Sequence, residues 1–127
     1  MALRHVRLEL ARTPDHPAGS IHCGYELNLP LDADGKFDSG AWKSHAKDCT
    51  VRRFWEGEDD ENGQLIKVGR GWAFSYDPNT DEDDEPMFRL EDHRFADGEY
   101  VSITEHDGVT RPFRVAWVKQ APALSKG

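Results

Sequence analysis

The sequence predicts a mainly β fold of the β-rich α+β class: a small antiparallel barrel or sandwich of seven or eight short strands, with one short helix near residues 38–48. Apolar and polar residues alternate in many short segments, as they do in half-buried strands. Turn-forming residues separate these segments at short intervals, and only one segment has helical periodicity. The chain has 127 residues, 37% of them hydrophobic, which is enough for one core. We therefore expect a single domain over 1–118 and a flexible tail over 119–127.

The first two strands are predicted at residues 4–12 and 21–29, where apolar side chains occupy alternate positions. A loop that contains two prolines and a glycine separates them. The alternation in the second strand turns Ile21 and Cys23 toward the core and His22 outward.

The helix is predicted after a turn at residues 32–35, whose Asp-Ala-Asp-Gly sequence matches only the middle of an EF-hand calcium loop. Asp38 suits the N-cap position. One helical stripe then follows at i, i+3, i+4 and i+7, formed by Trp42, His45, Ala46 and Cys49. We expect Trp42 to anchor this helix over one end of the barrel.

The later strands are predicted by the same alternation, and an Asp107-Gly108 pair predicts a tight hairpin between the last two of them. Residues 56–63 and 77–86, which are rich in acids, are predicted to be loops. The predicted strands lie at 49–55, 65–68, 72–76, 88–90, 99–106 and 109–118. The barrel core is predicted to contain Trp55, Trp72, Phe74, Phe113, Val115 and Trp117.

The net charge of −8 is concentrated in two short runs at 56–61 and 81–85. Each run holds five acids, so the other 14 acids are nearly balanced by 16 lysines and arginines. An acidic loop can attract a basic protein surface, so we favour a non-enzymatic binding module; the alternative is that both loops are only solvated. The expected partner-binding residues are Glu58, Asp59, Asp60, Glu61, Asp81, Glu82, Asp83, Asp84 and Glu85.

A metal site is the second hypothesis. His45 and Cys49 share one helical stripe and Cys23 faces inward, so these three side chains could bind zinc, which prefers thiolate and imidazole ligands. The alternative is that both cysteines are simply buried core residues. The clustered acids could instead bind calcium, a cation that takes six to eight oxygen ligands.

Nucleic-acid binding is the third hypothesis, because several arginines on predicted strands could form a basic face between aromatic side chains. The alternative is that they pair with nearby acids. These residues are Arg4, Arg7, Arg52, Arg53, Arg111 and Arg114.

The segment from Phe95 through Gly98 to Ile103, followed by Phe113 and Val115, resembles the closing hairpin of small β-barrels of the PUA and ASCH type. That resemblance implies RNA-related binding and carries over no site residue.

Catalysis has little support, since no nucleophile elbow or nucleotide-binding glycine motif is present. His93 and His106 each follow an acid, but neighbours in a strand point to opposite faces, so Glu105 is not expected to orient His106. The N-terminus has no apolar segment of the signal-peptide type, and a cytoplasmic location is expected.

Overall fold

The computed structural model describes residues 3–68, 71–77, 85–87, 90, 94–105 and 107–120. Eight strands and one short helix with a 3₁₀ turn (Ala46–Asp48) make up the regular structure of these residues. The elements are β1 (Leu3–Leu10), β2 (Ser20–Pro30), α1 (Ser39–His45), β3 (Thr50–Trp55), β4 (Glu58–Val68), β5 (Gly71–Ser75), β6 (Glu85–Met87), β7 (Tyr100–Thr104) and β8 (Thr110–Gln120). The mainly β prediction with one helix near 38–48 is confirmed.

The strands form one antiparallel sheet in the order β6-β5-β4-β3-β2-β1-β8-β7, curled into a half-barrel. Strands β1 to β6 follow one another in chain order. The chain then returns to the other side of β1, where β8 pairs with β1 and β7 pairs with β8. This strand order brings apolar side chains from both halves of the chain together on the concave face of the sheet.

The core lies on the concave face, where inward positions alternate along each strand as the sequence predicts. Tyr25 is fully buried there, and its ring packs edge-on against Phe113 at 5.2 Å between centroids. Cys23 is buried and His22 is exposed, as expected. Other core side chains include Val6, Leu8, Leu27, Val51, Leu65, Trp72, Phe74, Ile103 and Val115.

The helix is attached as predicted. The Asp38 side chain accepts a hydrogen bond from the backbone N–H of Ala41 at 3.1 Å, which caps the first turn. Trp42 then packs edge-on against Trp72, with ring centroids 5.0 Å apart, and its indole N–H donates to the carbonyl of Leu65 at 3.2 Å. This one side chain therefore fixes α1 against the sheet.

The predicted acidic loop at 56–63 is wrong, because strand β4 already begins at Glu58. Gly57, with φ +82°, makes a tight turn after Glu56. On β4, Glu61 lies opposite Arg53 of β3 and Asp60 contacts Arg52 diagonally, and these cross-strand pairs offset the low β propensity of the run. The loop predicted at 77–86 is wrong at its last two residues, because strand β6 begins at Glu85. Residues 78–84 and 88–89 lie outside the described residues.

Two predicted core positions face outward because the strand registers shift. A β-bulge in β8 lets Arg7 pair with Trp117 while Leu8 pairs with Val115. Trp117 therefore lies on the outer face, where its ring centroid is 5.4 Å from that of His5. A second shift near the start of β2 leaves Ile21 61% exposed. β8 also extends two residues past the predicted domain end at 118, to Gln120, and the rest of the predicted tail lies outside the described residues.

Candidate functional site

The first acidic run forms one arm of the β3–β4 hairpin, and three of its acids pair with arginines of β3. Asp60 contacts Arg52 at 2.6 Å on the outer face. Glu58 and Glu61 contact Arg53 on the inner face, at 3.1 and 3.6 Å. Residues 52–61 hold these two arginines and five acids, so this segment has a net charge of −3. Glu56 and Asp59 are exposed.

One side of the acidic strand segment is open in the described structure. β3 pairs with β4 between Glu58 and Gln64, whereas β5 pairs with β4 only from Gln64 to Val68. Residues 58–62, which we call the acidic edge, therefore have no strand neighbour on the side away from β3 among the described residues. An open strand edge presents backbone donors and acceptors to any extended segment that approaches it.

Sequence reasoning missed an ionic cluster on the concave face, next to this hairpin. Glu105, only 2% exposed, accepts hydrogen bonds from the Tyr25 hydroxyl at 2.6 Å, from Arg53 Nε at 3.1 Å and from Arg111 Nη1 at 2.7 Å. The Arg53 guanidinium also lies 4.3 Å from the centroid of the Trp55 ring. Alternation with Val51 could have indicated that Arg53 points inward.

This cluster has a structural role. Burial alone would lower the pKa of Arg53, but the charges of Glu105 and Tyr25 and the hydrogen bonds to Glu105 and Glu58 together outweigh burial and raise that pKa, so Arg53 stays charged. Through Glu105, the cluster joins β2 and β3 to the end of the β7–β8 hairpin. Its buried groups contact one another, and they hold the β3–β4 hairpin in place.

Of the strand arginines in the nucleic-acid hypothesis, four pair with acids and two are exposed without such a pair among the described residues. Arg7 and Arg52 both contact Glu26, at 2.7 and 3.1 Å, on the outer face. Burial would raise the pKa of Glu26, but hydrogen bonds from these arginines outweigh it and hold the pKa below its ordinary value of 4.5. Arg53 and Arg111 pair with Glu105 and further acids. Arg4 and Arg114 are exposed.

The structure does not bring the three candidate zinc ligands together. Cys23 and Cys49 are both free thiols buried in the hydrophobic core, while His45 is half-buried at the end of α1. In the described part of the chain, which includes all three, no three His, Cys, Asp or Glu side chains are grouped to hold a metal ion. The helical stripe that suggested the site ends at His45, and a 3₁₀ turn then carries Cys49 into the core.

Among the described residues, the acids are likewise not grouped to hold a calcium ion. The Asp32 side chain accepts hydrogen bonds from the backbone N–H groups of Asp34 and Lys36, at 2.8 and 3.0 Å, so this segment is the predicted turn. The acids 81–84 and both candidate histidines, His93 and His106, lie outside the described residues.

Comparisons of the chain with models of protein families, with curated proteins and with solved structures find no match. Among the described residues, no helix is long and apolar enough to cross a membrane.

Proposed function

We propose that this protein is a non-enzymatic binding module that recognises a basic, extended segment of a partner protein at the acidic edge, residues 58–62. The observation that carries the proposal is that a run of acids coincides with a strand edge that no other described strand covers. An extended peptide can add to such an edge as a further strand, with main-chain hydrogen bonds supplying affinity and side chains supplying selectivity.

The charge of residues 52–61, at the turn of the β3–β4 hairpin, sets the chemistry of the partner. This net charge of −3 favours lysine and arginine in the incoming segment and speeds the encounter at low salt. Asp59 and Glu56 have exposed side chains that can meet those cations directly. The second acidic run, 81–85, belongs to this proposal on its sequence charge alone.

A competing role for the same acids is protection, because charged residues on an open edge prevent pairing between copies of a protein. The two roles predict different results. If the acids only protect, neutralising them increases self-association and changes no peptide binding. If they recognise a partner, neutralising them weakens the binding of basic peptides.

The test is a titration with a nine-residue peptide of alternating lysine and valine, compared with its glutamate–valine counterpart. We expect saturable binding of the basic peptide only, with amide exchange slowed within 58–62. The double variant Glu56→Gln/Asp59→Asn should bind about three- to tenfold more weakly, since exposed charge pairs contribute roughly 0.2–1 kcal/mol each.

The matched control is Asp97→Asn/Glu99→Gln, which removes two exposed acids from the segment before β7. It should leave peptide affinity unchanged. Equal losses in both double variants, or amide protection outside 58–62, would contradict the proposal. A separate variant that neutralises 81–85 measures the contribution of the second run.

A further inference from the structure

A groove on the outer face combines exposed apolar side chains with arginines. Its volume is about 640 Å³, within the range of small-molecule sites. The ends of β1 and β8 form its floor, the chain leading into β2 forms one wall, and Tyr100 of β7 contributes the other. The lining includes Arg12, Gly19, Ile21, Tyr100, Pro112 and Arg114.

Local backbone geometry creates this groove. The register of β1 and β2 shifts after Glu9, so that Leu10 pairs with Ser20 and the end of the loop between the strands lies beside Leu10. Gly19, at the end of that loop, has φ +73°, and a Cβ there would lie 2.6 Å from the carbonyl oxygen of Leu10. The register shift and the glycine thus keep a wall beside the outer face of β8.

The side chains of the groove are unusually exposed for their chemistry. Tyr100 is 63% exposed and Ile21 is 61% exposed, the two highest values among the exposed large apolar residues that the structure describes. Arg12 and Arg114 are exposed and form no ion pair with a described residue. Glu9, also in the lining, is the cross-strand neighbour of Arg114 and contacts Arg7 at 2.8 Å, an arginine that also pairs with Glu26.

We propose that this groove binds a ligand in which a phosphate group is attached to a planar ring. The phosphate is held by Arg12 and Arg114, since guanidinium groups bind phosphate oxygens through paired, charge-assisted hydrogen bonds. The ring lies against Tyr100, which is the cross-strand neighbour of Arg114, and Ile21 covers its edge. A free nucleotide and a nucleotide within a single strand share this chemistry. The site is separate from the acidic edge and does not depend on its function.

Titration calorimetry and NMR mapping test the proposal with four probes: inorganic phosphate, phenyl phosphate, thymidine monophosphate and a single-stranded oligothymidylate. Phenyl phosphate should bind more tightly than inorganic phosphate, with shifts around Tyr100 and Arg114. If thymidine monophosphate binds as tightly as one nucleotide of the oligothymidylate, the ligand is a small molecule. Tighter binding of the strand, with a steeper loss of affinity in salt, identifies a strand.

Three variants assign the roles. Arg12→Gln and Arg114→Gln should each weaken phenyl phosphate binding about tenfold or more, because each removes charged hydrogen bonds. Tyr100→Ala should reduce the affinity for phenyl phosphate to that for inorganic phosphate. Arg4→Gln, which changes an exposed arginine outside this lining, should have no effect.

The absence of saturable binding by all four probes would overturn the proposal, as would an equal loss in Arg4→Gln. Equal affinities for phenyl phosphate and inorganic phosphate would contradict the proposed contact between a planar ring and Tyr100. The variant Glu56→Gln/Asp59→Asn separates the two sites: it should retain phenyl phosphate binding even where basic peptides no longer bind.

Discussion

At the scale of single residues, the least expected feature is a charged cluster on the concave face of the sheet. Arg53, 5% exposed, lies where an apolar residue would ordinarily complete the core. Burying a charge is costly unless it is paired and hydrogen-bonded. Glu105 meets this need for Arg53 and Arg111 together, and Tyr25 supplies a third donor. Among the described residues, Glu105 is the one buried carboxylate that pairs with these arginines, so we expect the stability of this end of the fold to depend on it.

Glu105→Gln should lower the free energy of unfolding by about 3 kcal/mol or more, because it leaves buried Arg53 without its buried counter-charge. Urea unfolding measures this change. Asp60→Asn is the control, since it also removes an acid paired with a β3 arginine, but on the exposed outer face. It should cost less than about 1 kcal/mol. Similar losses in the two variants would show that the buried position has no special importance.

Glu26 predicts part of the pH dependence of stability. Its pKa in the folded protein lies below 4.5 because hydrogen bonds from Arg52 and Arg7 outweigh burial. A lowered pKa stabilises the fold fully above the unfolded value, and this contribution is lost as the pH falls below 4.5 through the folded pKa. Glu26→Gln should therefore unfold with a weaker pH dependence below 4.5 than the parent. Parallel pH profiles for the two proteins would contradict this explanation.

At the scale of strands, a glycine on the outer face leaves room for an aromatic ring from the neighbouring strand. Gly24 of β2 is the cross-strand partner of Phe54. A Cβ at Gly24 would overlap the carbonyl oxygen of Leu8 and lie 3.0 Å from the Phe54 ring. The guanidinium of Arg7 lies 4.3 Å from that ring's centroid on the outer face. The close approach of β1, β2 and Phe54 thus requires glycine.

Gly24→Ala should destabilise the protein by about 2 kcal/mol or more, since the added methyl group meets backbone that cannot move aside without disturbing the β1–β2 pairing. Gly71→Ala is the matched control at a strand glycine, where the nearest atom to a Cβ is 3.8 Å away. It should be neutral within about 1 kcal/mol. Thermal and urea unfolding of both variants check the contrast, and a neutral Gly24→Ala would refute it.

The same strands show how far sequence reasoning reaches. Alternation correctly predicted the inward faces of β1 and most of β2, because a period of two is a local property of the chain. It failed for Trp117 and Ile21, where a register shift set by the neighbouring strand changes the exposed face. Such shifts depend on pairing between distant segments. No local pattern in this chain indicates them.

The candidate sites were predictable to different degrees for the same reason. The acidic run at 56–61 was evident from the sequence, but its strand conformation depends on partners in β3. The groove joins Arg12 to Tyr100 and Arg114, which are nearly 90 and just over 100 residues away. Glu105 appeared only as the neighbour of a histidine, because its partners come from β2, β3 and β8.

At the scale of the whole molecule, the two cysteines report on whether the sheet unfolds as one unit. Cys23 on β2 and Cys49 before β3 are both fully buried within one hydrophobic cluster. Burial, with a smaller effect of Asp48, raises the pKa of the Cys49 thiol to about 12. Because the thiolate is the reactive form, Cys49 in the folded protein should react very slowly with alkylating reagents at pH 8, and burial shields Cys23 from the same reagents.

If the half-barrel opens only by global unfolding, both cysteines should be alkylated at one common rate, and urea should accelerate both in parallel with the unfolding transition. Mass spectrometry of iodoacetamide-treated protein measures the two rates. Faster modification of Cys49 would mean instead that α1 and the following turn detach from the sheet while the core remains folded. In that case Trp42→Ala, which removes the contact with Trp72, should accelerate Cys49 alone. A cooperative sheet predicts that the same substitution accelerates both cysteines equally, in proportion to the stability it removes.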